Sequence, residues 1–143
     1  MKTRLLLFGA LLALVNSVAA RAGAGGFVVV LNRDNAQSSL TRSQLKRAVT
    51  GGLKQWPNGA VVQLGIIPGD APDTQYLASL LDLSARELLS RIQEAVFKGE
   101  LRRPAVLRSS AECVAFARGN AGAICVTSDG EPLPPEVHAV AIQ

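Results

Sequence analysis

Apolar positions along this chain follow two rhythms. Phe27 to Leu31 (FVVVL) is an unbroken run rich in β-branched residues, the pattern of a buried strand. Thr41 with Gln44 then forms a capping box, and Leu40 with Leu45 a hydrophobic staple around it. Gly51-Gly52 ends that helix. Pro57-Asn58-Gly59 is a turn, and Ala60 to Ile67 a second strand. After Pro68-Gly69-Asp70 a helix runs from about Pro72 to Leu81, with Leu77, Leu80 and Leu81 as its inner face. Ser84 with Glu87, flanked by Leu83 and Leu88, starts the next helix. There Leu88, Leu89, Ile92 and Val96 recur at helical spacing, and Gly99 stops the run. ELRRPAVLR reads as irregular or briefly extended. Ser109 with Glu112 opens a helix that ends near Gly119-Asn120. Ala123 to Thr127 is a strand, SDGEPLPPE a surface loop, and Val137 to Ile142 the last strand. The order β-α-β-α-α-α-β-β predicts one α/β or α+β layered domain.

The first residues break both rhythms. Lys2 and Arg4 precede an apolar run, Leu5 to Val15, and Val-Ala-Ala and Ala-Arg-Ala offer cleavage after Ala20 or Ala22. That is the layout of a secretory signal peptide over 1–22. The run is shorter than the roughly 20 residues a membrane span needs, so no span is expected after cleavage. The leader also changes the charge. Lys2, Arg4 and Arg21 account for three of 15 basic residues, leaving 12 against 11 acidic ones, or +1 in place of +4. So near-neutral a domain carries no footprint for nucleic acid.

Two cysteines remain, Cys113 on the predicted fourth helix and Cys125 on the strand after it. Packed antiparallel, the helix and strand would bring them to similar heights, about 7.5 Å and about 10 Å from the connecting turn. An exported chain favours a disulfide; two small buried thiols are the alternative. His138 is the sole histidine, and with Cys113 and Cys125 it could nominally form a nucleophile-base set. No local pattern supports that hydrolase reading, and a disulfide would remove the thiols. No metal-ligand spacing, phosphate loop, dinucleotide turn or nucleophile elbow occurs. Arg42, Lys46 and Arg47, and the pair Arg102 and Arg103, could face an anion but fit a solvated surface better. Trp56 could be a ligand platform; such a residue more often packs its loop onto the domain.

Taken together, "VVVLNRDNAQSSLTRSQLKRAVTGGLKQWPNGAVV" resembles the phosphate-binding periplasmic proteins of ABC-type uptake, especially short one-lobe relatives. "LLDLSARELLSRIQEAVFKGELRRP" is similar to that family's helix pair, and "SSAECVAFARGNAGAICVTS" to its helix and following strand. The likeness spans about Phe27 to Ser128. It implies a single periplasmic-binding-protein-like lobe over 27–143, with a mixed sheet flanked by helices. It further implies a periplasmic, non-catalytic, cofactor-free solute-binding role linked to phosphate or another small anion. In the family a Ser-Gly-Thr turn at a helix start holds the anion. Gly69-Asp70-Ala71-Pro72-Asp73-Thr74 stands there, which makes Gly69 and Thr74 the candidate ligand residues.

Electrostatics set a competing reading beside this one. Asp70 or Asp73 would place a carboxylate where an anion must sit, a repulsion of about 1 kcal/mol at 4 Å in water and about 4 at an effective dielectric of 20. Asp70 is the expected N-cap, accepting from the N–H of Asp73, and Pro72 removes one donor. Full-length relatives bind between two lobes, so a homodimer or a partner protein would supply the second wall. The alternative is a ligand-free interaction module that retains the lobe and has lost the anion site.

Overall fold

The computed structural model describes residues 26–143; the leader expected over 1–22 lies outside the described residues. Ten elements follow one another: β1 (Phe27–Asn32), β2 (Ser39–Leu40), α1 (Arg42–Thr50), β3 (Gln63–Ile66), α2 (Pro72–Leu80), α3 (Ala85–Phe97), β4 (Ala105–Val106), α4 (Ser110–Gly119), β5 (Ala123–Ser128) and β6 (Val137–Ile142). The strands form one mixed sheet in the order β2-β6-β1-β5-β3-β4. β1 runs antiparallel to both neighbours, with Val29 opposite Val126 and Val140, whereas β3 is parallel to β5 and to β4.

Side-chain alternation divides the core between the two faces. Val29, Leu31, Ile124 and Val126 point toward α1, α2 and α3 and join Leu45, Val49, Leu77, Leu88 and Ile92. Val30, Ala123 and Cys125 point the other way and pack with Leu107, Cys113 and Ala117 beneath α4. Burial on both faces is why FVVVL and AICV read as continuous apolar runs. Full burial of each valine or leucine contributes about 1.5–3 kcal/mol.

The local helix signals hold at three starts. Thr41 accepts from the Gln44 N–H at 3.0 Å while Gln44 Oε1 accepts from the Thr41 N–H at 2.8 Å, with Leu40 and Leu45 buried on either side. Ser84 and Glu87 do the same at α3, and Ser109 caps α4 through the Glu112 N–H. Gly51 closes α1 at φ 91°, a left-handed conformation open to glycine at no steric cost.

Three expectations change. The second strand is not Ala60–Ile67 but Gln63–Ile66, because the stretch before it turns back on its own loop. Trp56 N–H bonds Ala60 O at 2.9 Å, and Val62 N–H bonds Lys54 O at 3.0 Å. Two short strands, β2 and β4, also join the sheet, so the order is ββαβααβαββ. The third change concerns the start of α2: its N-cap is Ala71, not Asp70, and no side chain caps it.

The Cys113–Cys125 disulfide is present, joining α4 to β5 with Cα atoms 6.0 Å apart. Trp56 is 2% exposed and its Nε1 donates to Gly122 O at 2.9 Å, pinning the 53–62 loop to the body. The same carbonyl accepts from the Gln63 N–H at 2.9 Å. Here two backbones touch: a Cβ on Gly122 would lie 1.8 Å from Val61 O.

Candidate functional site

The turn Gly69-Asp70-Ala71 lies between the end of β3 and the start of α2. Gly69 has φ 81°, a left-handed turn open to glycine, and a Cβ there would meet nothing within 4 Å. Pro72 occupies the first helical turn and lends no N–H, yet its fixed φ suits a helix start. Gln75 N–H makes the first intrahelical bond, to Ala71 O at 3.0 Å. The N–H groups of Asp73 and Thr74 lie in the first turn, and no side chain caps it. This is the open positive end of a helix, where an acceptor is electrostatically favoured.

The carboxylates do not close that end as expected. Asp70 is exposed, and it is its backbone carbonyl that is engaged, by Gln75 Nε2 at 2.9 Å. Asp73 is half-buried and turns toward α4, where its Oδ2 accepts from Ser110 Oγ at 3.4 Å. Ser110 Oγ also accepts from the Ser128 N–H at 2.9 Å. One hydroxyl thus ties together the starts of α2 and α4 and the end of β5. The α4 terminus is spoken for by Ser109, and Glu112 Oε2 accepts from the Arg108 N–H at 2.5 Å.

Thr74 is 2% exposed, and its Oγ1 donates to Ile67 O. The hydroxyl fixes the strand-to-helix turn from inside and is already engaged there. Beneath it lies a cavity of about 10 Å³ between Gly65, Ile67, Asp73, Thr74 and Leu107. That is room for one water, so any larger ligand rests on this surface rather than inside it.

The other candidates fall elsewhere. Arg42, Lys46 and Arg47 lie exposed on α1, and Arg102 and Arg103 lie exposed before β4. His138 Nε2 pairs with Gln37 O at 2.9 Å, and Cys113 and Cys125 are bonded to each other. Among the described residues, no group of three His, Cys, Asp or Glu side chains is placed to hold a metal, and no helix is long and apolar enough to cross a membrane. Two site features escaped the sequence reading. The Ser110 bridge spans 37 residues in one direction and 18 in the other. The uncapped start of α2 follows from a cap one residue later than Asp70 suggested.

No protein-family model and no curated protein matches the sequence. Solved structures are similar in fold. A crystal structure of an ABC-type phosphate transport receptor from Vibrio cholerae matches with TM-score 0.61 and 19% identity, over 82% of this chain and 46% of that one. A putative phosphate ABC transporter substrate-binding protein from Clostridium perfringens, solved with bound phosphate, matches with TM-score 0.64 and 19% identity, over 82% of this chain and 44% of that one. The chain thus has the fold of one periplasmic-binding-protein lobe and spans under half the length of these neighbours.

Proposed function

We propose that this chain is an exported, periplasmic, non-enzymatic solute-binding lobe whose ligand is phosphate or a related small anion. The observation that carries the reading is the fold match to a phosphate-bound transport protein, across 82% of the chain. The start of α2 is the proposed contact. Gly69 shapes the turn, and the Asp73 and Thr74 N–H groups donate to the anion. Nearby Asp73 weakens the site by charge. At about 4 Å in water that repulsion is about 1 kcal/mol, or roughly five-fold in affinity.

Half a cleft leaves most of a ligand in water, so binding by the single lobe is weak. A second copy or another protein would supply the opposite wall. The test is isothermal titration of periplasm-derived protein with phosphate, alongside Asp73→Asn. Millimolar binding that tightens about five-fold in the variant is expected from the Coulomb estimate. An absence of heat from both proteins refutes the anion site.

A further inference from the structure

A second surface lies away from α2. β4 is the outermost strand of the sheet, and among the described residues its far side has no partner. Leu107 N–H bonds Ile66 O at 2.9 Å, with Ile66 opposite Val106. In a parallel ladder that register turns the N–H and C=O of Val106 outward. Ala105 and Leu107 pack toward α4, so Pro104 and Val106 face the α3 side. There a groove of about 490 Å³ runs between α3 and the segment leading into β4, with Ile92 and Val96 on one side and Arg103 and Pro104 on the other. Phe97, the last residue of α3, is 92% exposed at its mouth, and Val106 is 70% exposed on the edge. Large apolar side chains this bare, beside open backbone donors and acceptors, are the makings of a strand-docking edge.

Charge says what would dock. Arg102, Arg103 and Arg108 flank the strand, all exposed, and none has an ion-pair partner among the described residues. The cation at the end of α3, Lys98, is by contrast paired with Glu94 at 2.9 Å. A second copy of this chain would oppose the same arginines to themselves. The geometry points to an extended peptide segment of a partner protein, alternating apolar and acidic residues, that adds as a strand to β4. Its backbone pairs with Val106, its apolar side chains enter the groove beside Phe97, and its carboxylates meet Arg103 and its neighbours. A lipid surface would use Phe97 and the arginines but would have no need of the open Val106 amide.

Fluorescence anisotropy with a labelled peptide of alternating valine and aspartate tests this, with a valine-lysine peptide as control. The acidic peptide is expected to bind at least ten-fold tighter than the basic one and to weaken with salt. Val106→Pro removes the outward donor at an edge position where proline is tolerated; at least a ten-fold loss is expected with an unchanged melting temperature. Should that variant unfold, Phe97→Ser and Arg103→Glu alter only exposed side chains and are expected to give the same loss. Equal binding of the two peptides, no binding of either, or full binding by folded variants overturns the proposal. So does adsorption to phosphatidylglycerol vesicles that survives Val106→Pro while the peptide fails to bind. None of these outcomes touches the phosphate titration.

Discussion

Replacing Gly122 by alanine tests the close approach of its backbone to that of Val61. The added Cβ would meet Val61 O at 1.8 Å and Val61 C at 2.7 Å. Because the obstructing atoms are backbone, relief requires one segment to move by about 1 Å or more, as packed interiors give little. That movement draws Gly122 O away from Trp56 Nε1 and from the Gln63 N–H, both now at 2.9 Å. Each buried group left unpaired costs about 1–3 kcal/mol, and overpacking adds about 1–3. The sum is about 4 kcal/mol or more, enough to lower the melting temperature of a domain this size by roughly 15 °C. Trp56 is the sole tryptophan, so its fluorescence reports the site directly during urea unfolding. Gly119→Ala is the control, since a Cβ there meets nothing within 4 Å; it is expected to be neutral or slightly stabilising. A loss below about 1 kcal/mol for Gly122→Ala, with unshifted Trp56 emission, would refute the reasoning.

Other consequences can be measured alongside it. Reducing Cys113–Cys125, or replacing both with alanine, should lower unfolding free energy by about 3 kcal/mol in the chain-entropy picture, and mass spectrometry of the untreated protein should find no free thiol. Thr74→Ala should cost about 1–3 kcal/mol by orphaning Ile67 O in the interior, while Thr74→Ser costs less. If Thr74→Ala instead leaves stability unchanged and abolishes phosphate binding, the hydroxyl serves the ligand and not the turn. Thr41→Ala removes the α1 cap and should cost about 1 kcal/mol by denaturant titration; no change would place the stability of that helix in its packing alone.

How far the sequence could be read depended on how local each signal was. Leu40-Thr41 with Gln44-Leu45 carries its whole message within six positions, and the helix starts where it says. FVVVL and the stretch around Cys125 announce burial on both faces by composition, and Cys113 meets Cys125 because a short turn joins their elements. The strands β2 and β4 exist only through partners far along the chain, Ala141 and Ile142 for one and Gly65 and Ile66 for the other. Two residues with no periodicity of their own cannot announce such pairing. At α2, Asp70 matches the N-cap preference, but Pro72 fixes the first turn and leaves Ala71 at the boundary, one residue on. The hydroxyl of Thr74 looked available because sequence does not reveal which way a side chain faces. Of the adjacent Val96 and Phe97, only Val96 falls on the apolar face read from the spacing, and only Val96 packs against the core.

The order of the sheet governs the order in which it can assemble. Among the described strands β1 is made first, yet both of its neighbours, β5 and β6, are made after all the others. Closing such long loops is entropically costly and slow. Until β5 is synthesised this apolar strand has two open edges, and until β6 follows it has one, while α1 and α3 can already form locally. A chain cut before β5 is therefore helical but unclosed, and FVVVL must be kept from pairing with another copy until β5 and β6 are in place.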